Sequence, residues 1–173
     1  NSNYMKKIYV FLFTGISLLS GACLKDSPIN DYSGLTPILV IPNANFPSSK
    51  SIGFQTFSSS ETSAEIKLYA RISWEHTLPG PLRITFKRDT DALEAYNQAF
   101  GKSFLFLPEE FYDAGDLSLI IPEGDKEASL PVKLFPDKIG VSNNYILAFS
   151  ITDASGEKIA ENFKTYLLPI NVN

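Results

Sequence analysis

Residues 64–73, AEIKLYARIS, alternate between two kinds of side chain along their whole length. One set of alternate positions is apolar and the other is polar or aromatic: Ile66, Leu68, Ala70 and Ile72 against Lys67, Tyr69 and Arg71. A period of two residues is typical of a β-strand that buries one face. Residues 81–88, PLRITFKR, repeat the pattern. The sequence therefore predicts strands whose apolar faces share one core.

More apolar runs of strand length follow toward the C-terminus, at residues 117–122, 128–135, 144–152 and 165–172. The turn EGDKE at 123–127 predicts a hairpin between the first two runs, because Gly124 can adopt a positive φ. A second turn region, residues 153–162, joins the other two. Short strands at close intervals, apolar inside and polar outside, indicate an all-β protein. We predict an antiparallel β-sandwich of the immunoglobulin-like kind.

One segment interrupts the strands. Residues 89–102, DTDALEAYNQAFGK, offer a helix N-cap at Asp89 or Asp91 and a C-terminal glycine, Gly101. Three apolar side chains fall at helical spacing: Leu93, Tyr96 and Phe100. We therefore expect one short amphipathic helix inserted between strands, and we expect it to lie across one open end of the sandwich.

The first 22 residues have the organisation of a secretory signal peptide that begins at Met5, behind an upstream extension of residues 1–4. Lys6 and Lys7 precede an apolar run at 8–19, and small residues follow it. As a helix, that run would be about 18 Å long, too short for a hydrocarbon core of about 30 Å. The segment is therefore predicted to direct export.

Cys23, the only cysteine, stands directly behind these small residues. The arrangement resembles the bacterial lipobox, in which the thiol is diacylated and the cysteine becomes the new N-terminus. The third residue before the cysteine is Ser20, where a lipobox usually has leucine, so ordinary cleavage that leaves a free thiol is the alternative. We predict lipidation at Cys23, with the acyl chains as the membrane contact. Residues 23–35 would then be a tether, and residues 36–173 the folded domain.

Composition and motifs argue against several classes of function. The chain has 15 basic and 19 acidic residues, and no basic cluster exceeds a pair, so nucleic acid is not an expected partner. The only histidine, His76, lies far from Cys23 in the chain, so neither a Cys–His nucleophile nor a His/Cys metal site is expected. We predict that the protein is not an enzyme and that it uses no cofactor and no catalytic metal.

An acidic cluster at residues 108–116, PEEFYDAGD, is the nearest approach to an acid–base site; it contains Glu109, Glu110, Asp113 and Asp116. Glycosidases need two carboxylates about 5 to 9.5 Å apart, and clustering in sequence does not provide that geometry. We interpret the cluster as a solvated turn. Calcium is the alternative ligand for these oxygens, bound at one end of the sandwich by Asp113, Asp116, Glu123 and Asp125.

An ordered set of residues along the second half of the chain resembles one known family: Tyr96, Asn97, Leu107, Pro108, Tyr112, Ile121, Pro122, Gly124 and Tyr145. The family is domain of unknown function 1735, an N-terminal β-sandwich of Bacteroidota surface lipoproteins. The sequence departs from the family pattern at Phe106, at Glu123 and at Ala148-Phe149. The resemblance covers residues 36–172.

The resemblance implies an outer-membrane lipoprotein at the cell surface, encoded with polysaccharide-utilisation genes. Relatives often carry a glycoside hydrolase family 18 or lectin-like module after this domain. A C-terminal module or a partner lipoprotein is therefore an expected partner, and the chain would be either a stand-alone member or the front of a longer protein. The family has no assigned activity, so the resemblance transfers no functional residues.

The candidate ligand-binding residues are aromatic or lie beside an aromatic. Trp74 and His76 precede a Pro-Gly-Pro turn, and Tyr112 follows the acidic cluster. Exposed aromatic faces stack on sugar rings, which makes a glycan the expected ligand. The alternation phase favours a core position for Trp74 as the competing interpretation. Tyr96 and Asn97 are expected to hold the helix to the sheet.

Two classes of function remain. The first is a non-catalytic, lipid-anchored surface module that assists glycan binding or positions a partner module. The second is a structural spacer or assembly domain that pairs with another protein through an uncharged edge strand, at residues 51–57 or 165–172.

Overall fold

The computed structural model describes residues 36–173, which form two packed β-sheets. The strands, in chain order, are β1 (Ile38–Val40), β2 (Gln55–Phe57), β3 (Ala64–Ser73), β4 (Leu82–Arg88), β5 (Leu105–Phe106), β6 (Tyr112–Asp113), β7 (Ser118–Ile121), β8 (Glu127–Leu134), β9 (Ser142–Asp153), β10 (Lys158–Ile159) and β11 (Thr165–Val172). Sheet A has the order β10-β1-β3-β8-β6. Sheet B has the order β2-β11-β9-β4-β7, and β5 also pairs with β9.

This architecture confirms the predicted all-β, immunoglobulin-like sandwich. The long pairs are antiparallel, as in β3 with β8 and β9 with β11. Three short pairs are parallel, namely β1 with β10, β2 with β11 and β5 with β9. The predicted antiparallel arrangement thus holds for the long pairs, and the three short pairs depart from it. The predicted signal peptide, lipidated Cys23 and tether lie outside the described residues.

Strand β3 folds as its alternation predicts. Ile66, Leu68, Ala70 and Ile72 are at most 6% exposed and face the core between the sheets. Lys67 and Arg71 face solvent. Strand β8 pairs with β3 over eight residues, from Ala64 opposite Leu134 to Arg71 opposite Glu127. This register fixes which loops meet at each end of sheet A.

Strand β9 is buried on both faces. Residues 146–151 are all buried, although their side chains point alternately to opposite sides of sheet B. Leu147, Phe149 and Ile151 join the core between the sheets. Ile146 and Ala148 join a second cluster on the outer face. Sheet B therefore needs a cover on its outer side.

Helix α1 (Thr90–Phe100) provides that cover. Its buried residues Ala92, Leu93 and Tyr96 pack on Ile146 and on Leu167 of β11. The expectation that the helix lies across an open end of the sandwich is wrong, because its apolar stripe matches the outer face of sheet B. Local sequence shows that a helix is amphipathic without showing which apolar surface it meets.

The ends of α1 follow the predicted capping. Asp89 is the N-cap, and its Oδ1 accepts a hydrogen bond from the Ala92 backbone N–H at 3.2 Å. Gly101 takes the left-handed conformation at the C-terminus, with φ 60°. The chain has a second short helix, α2 (Pro136–Ile139), so the prediction of a single inserted helix is incomplete. Short 3-10 turns occupy Glu109–Phe111 and Glu161–Phe163.

The predicted hairpin at residues 123–127 is a turn of a different kind. Gly124 has a φ of 86°, as expected, but β7 pairs with β4 in sheet B while β8 pairs with β3 in sheet A. The turn therefore joins the two sheets. The other predicted pair is correct, because β9 and β11 are antiparallel neighbours.

Edge strands differ from expectation too. Residues 165–172 form β11, which lies between β9 and β2; β2 pairs with Ile170–Val172, and Asn45 binds the Leu167 backbone farther along the same side. Within residues 51–57, only β2 is a strand, and it has three residues. The other edge of sheet B is β7. Neither helix of the described region has the length and apolar character that would let it cross a bilayer.

Substitution of Asp89 tests how helix α1 is joined to sheet B. Burial would raise the pKa of this carboxyl, but hydrogen bonds from Ser150, Lys87 and the Ala92 N–H outweigh it and lower the pKa overall. Asp89→Ala should lower the free energy of unfolding by about 1–2 kcal/mol, while Asp91→Ala, in the exposed first turn, should cost a few tenths. Urea denaturation at pH 7 measures both; equal losses would contradict the assignment of Asp89 as the cap.

The same carboxylate has a pH signature. Because its pKa is lower in the folded state, Asp89 stabilises the fold above its unfolded pKa of about 3.9, and this contribution is lost as the pH falls through the folded value. Asp89→Asn keeps a capping side chain without the charge. The difference in the free energy of unfolding between wild type and Asp89→Asn should therefore become smaller below about pH 4.

Candidate ligand-binding site

An open groove lies at one end of sheet A, where β3 ends and β8 begins. Its volume is about 660 Å³, and it is lined chiefly by Arg71, Ser73, Trp74, Asp125, Lys126 and Glu127. The β3–β8 register brings these residues together, because Arg71 stands opposite Glu127. We call this surface the Trp74 groove.

Lys126 ties together the two loops that form the groove. Its Nζ donates to the backbone carbonyls of Trp74 at 3.0 Å and of Glu75 at 2.6 Å. Its own carbonyl accepts a hydrogen bond from the Ile72 N–H at 2.8 Å. The ammonium therefore fixes the segment that follows β3 against the turn that precedes β8.

Trp74 is half-buried. Trp74 packs against the core between the sheets, as its alternation phase predicts, and it also lines the groove. The exposed His76 ring meets it edge-on, with ring centroids 5.4 Å apart and an interplanar angle of 86°. The structure thus brings Trp74 and His76 together, and a ligand role for them stays a prediction.

The charges around Trp74 have both signs. Arg71 Nε donates to Glu127 Oε2 at 2.7 Å across the strand pair. Asp125 and Lys126 are exposed at the tip of the turn. An aromatic surface beside a few fixed donors and acceptors is the composition of a site for a small polar ligand. The groove can offer hydrogen bonds to hydroxyl groups without a net charge preference.

Tyr112, the third candidate, lies elsewhere. It is 8% exposed, in β6, opposite Leu134 at the far end of β8 from Glu127. The seven residue steps between those β8 positions correspond to about 24 Å at ~3.4 Å per residue. The Tyr112 ring packs edge-on against Phe149, with 6.4 Å between centroids. Its ring is therefore part of the core and shares no surface with Trp74.

The Tyr112 hydroxyl is buried beside a charge. Burial raises the pKa of Tyr112, and the neighbouring Arg88 guanidinium, 5.8 Å above the ring centroid, partly offsets this. Arg88 also stacks over Phe106 at 4.6 Å and pairs with Glu109. Neither the Tyr112 hydroxyl nor Arg88 Nε has a hydrogen-bond partner among residues 36–173. These contacts hold the segment after β5 to β4.

Tyr96 and Asn97, which carry part of the family resemblance, make structural contacts. The Tyr96 hydroxyl donates to the Lys50 carbonyl at 3.0 Å. The Asn97 side-chain amide forms a closed pair with the backbone of Phe104, at 2.9 and 3.1 Å. Both side chains fasten α1 to the segments on either side of it.

The acidic cluster is engaged in local contacts. Glu109 pairs with Arg88, and Asp113 accepts from the Gly115 N–H at 2.9 Å. Asp116 accepts from the Ser118 hydroxyl at 2.7 Å and from its N–H, and these bonds lower the pKa of Asp116. Within the described range, no three His, Cys, Asp or Glu side chains are grouped to hold a metal ion.

Sequence reasoning missed Arg71, Lys126 and Glu127 as groove residues. Each occupies a polar position at the end of a strand or in a turn, which is unremarkable by itself. Only the pairing of β3 with β8 places them around Trp74. Asp125, one of the four candidate calcium ligands, lines the groove beside Lys126.

A two-sheet β-sandwich with a helix on one outer face and an open groove at one end defines the class of this protein. A family model described as an N-terminal domain matches residues 37–158, well over half of the chain. The chain belongs to the domain of unknown function 1735 family, as the ordered motif residues predicted. No curated protein matches it.

Solved structures share the fold at low identity. A candidate carbohydrate binding protein from Bacteroides ovatus is 12% identical with a TM-score of 0.59, over 77% of this chain and 36% of that one. A multidomain protein including DUF1735 from the same organism is 14% identical with a TM-score of 0.58, over 80% and 45%. EndoBT-3987 of Bacteroides thetaiotamicron, solved with Man5GlcNAc product, is 17% identical with a TM-score of 0.53, over 68% and 28%. The chain thus spans less than half of each, and the likeness shows the fold.

Lys126→Met is expected to loosen the Trp74 groove. It removes the ammonium that holds the carbonyls of Trp74 and Glu75, while the methylene stem is largely kept. Because Trp74 is the only tryptophan, its fluorescence reports on the groove alone. Acrylamide should quench the variant roughly twofold more efficiently than wild type, since the freed loop exposes the indole. Lys67→Met, on the solvent face of β3, is the matched control, and equal quenching in both variants would contradict the role of Lys126.

Proposed function

We propose that this protein is a non-catalytic, lipid-anchored cell-surface module of a polysaccharide-utilisation system, and that it assists glycan binding through the Trp74 groove. The observation that carries the proposal is the partly exposed Trp74 indole in an open groove with fixed donors and acceptors. The π face of an aromatic ring contacts the C–H groups on one face of a sugar ring, and nearby charged groups bind the sugar hydroxyls.

The comparisons support this proposal at the level of the protein class. One structure of the same fold is a candidate carbohydrate binding protein, and another is an endoglycosidase bound to a glycan product. Three carboxylates of the acidic cluster, Glu109, Asp113 and Asp116, make local structural contacts, which supports a binding role over a hydrolytic one. In a longer protein, the module would position a catalytic or lectin-like partner on the polysaccharide.

Anchoring is proposed to occur through Cys23, with residues 24–35 as the tether to the outer membrane. The short apolar run and the small residues ahead of the only cysteine support it. Two or more acyl chains give stable attachment where a single chain does not.

A glycan array followed by affinity gels tests the binding function. The protein should be retarded by at least one plant or host polysaccharide, and Trp74→Ala should weaken the interaction about tenfold or more, because the stacking surface is removed. Trp74→Phe, which keeps a ring, should retain part of the binding. Tyr112→Phe is the matched control, since the Tyr112 ring lies in the core. Binding that survives Trp74→Ala unchanged would refute the groove.

Cys23→Ser is expected to abolish anchoring without changing the fold. Metabolic labelling with an alkyne fatty acid in a Bacteroides host should modify wild type and leave the variant unlabelled. The variant should also move from the membrane fraction to the periplasmic or culture fraction. Equal labelling of both would exclude the thiol as the attachment site.

An assembly role is the second candidate, and it rests on β7. This edge strand of sheet B has the uncharged sequence Ser118–Ile121, and Ile120 is 47% exposed on it. An unpaired edge without a charged residue can accept a strand from another chain. Two results together would favour the assembly role over glycan binding. The glycan screen would find no ligand, and Ile120→Lys would disrupt self-association or the contact with a partner protein.

A further inference from the structure

A second groove lies beside helix α1, on the outer side of sheet B. It has a volume of about 350 Å³, which is at the lower end of the ~300–1,000 Å³ range of small-ligand sites. Ile52, Tyr96 and Phe104 form its floor, Phe54 its wall, and Lys50 and Lys102 its rim. We call it the Phe54 groove.

The aromatic wall of this groove is accessible. Phe54 is 49% exposed and leans on Phe104, with ring centroids 5.9 Å apart and an angle of 56°. Phe104 in turn lies 6.4 Å from the buried Tyr96 ring. The Asn97 amide clamps the Phe104 backbone, so the aromatic surface stands on a fixed base. Such a surface can receive one face of a planar or ring-shaped ligand.

The charge of the groove is uniformly positive. Its lining contains two lysines and no carboxylate, although the whole chain has a net charge of −4. Neither Lys50 nor Lys102 forms an ion pair with another residue of 36–173. The dipole of α1 favours a cation at Lys102, just past its C-terminus, but gives no reason for Lys50. Two cations that line one groove without a carboxylate beside them favour an anion.

We infer that the Phe54 groove binds an acidic sugar, with one pyranose ring on Phe54 and its carboxylate between Lys50 and Lys102. The aromatic wall favours a ring, and the lysines favour an anionic substituent on it. The volume of the groove allows one sugar unit of a polysaccharide. The Trp74 groove, by contrast, has charges of both signs and no preference for an anion. The Phe54 groove is a separate surface, and it can bind whether or not the Trp74 groove does.

Isothermal titration of the full chain with matched saccharide pairs tests this site. The probes are a galacturonic acid trisaccharide against its carboxyl-reduced form, and sialyllactose against lactose. At least one acidic member should bind about tenfold more tightly than its neutral partner, and added salt should weaken it, because exposed charges are screened within about 8 Å at 0.15 M.

Variants assign the binding to the groove. Phe54→Ala and the double change Lys50→Gln/Lys102→Gln should each weaken it about tenfold. The matched controls are Phe163→Ala, which removes another exposed phenylalanine (52%), and Lys67→Gln, and neither should change the affinity. Circular dichroism confirms that each variant is folded.

Four results would overturn the inference. They are equal affinity for acidic and neutral members, no binding of either acidic probe, binding that Trp74→Ala removes, and binding of a polyglutamate peptide that needs the lysines but not Phe54. The third would leave the proposed glycan function standing at the Trp74 groove while refuting the Phe54 groove.

Discussion

The double burial of strand β9 is the constraint on which the rest of the fold depends. Its residues 146–151 are buried without interruption, so sheet B must be covered on both sides. Sheet A covers one side and helix α1 covers the other, through Leu93 and Tyr96 on Ile146. Without this cover, β9 would expose apolar side chains to water. Helix α1 is therefore part of the hydrophobic core.

The side chains that carry the family resemblance explain how that cover is kept in place. Tyr96 and Asn97 bind backbone groups on either side of α1, and Gly101 ends the helix. Tyr112 packs under Arg88 and against Phe149. Tyr96, Asn97 and Tyr112 of the ordered motif thus make structural contacts, and Tyr96 also forms part of the floor of the Phe54 groove.

The two grooves differ in the physics of recognition. Around Trp74, Arg71 and Glu127 neutralise each other, so an uncharged, hydroxyl-rich ligand meets donors and acceptors without a long-range field. In the Phe54 groove, the positive charges of Lys50 and Lys102 reinforce each other, although the protein as a whole is acidic. If both proposed sites bind glycan, one polysaccharide would be held at two points, and two weak contacts on one chain act together through their effective concentration.

Several local features can be predicted from the sequence. The two-residue period of 64–73 predicts a strand with one buried face, and Gly101 together with Asp89 or Asp91 bounds a helix, because these features depend on neighbouring residues only; the structure selects Asp89 as the N-cap. It also supplied Trp74 and His76 as a pair. Only the tertiary structure shows that α1 covers sheet B, that β7 and β8 belong to different sheets, and that Tyr112 lies at the opposite end of β8 from the groove that Arg71 and Lys126 complete. Strand pairing joins residues far apart in the chain, and no local period encodes its register.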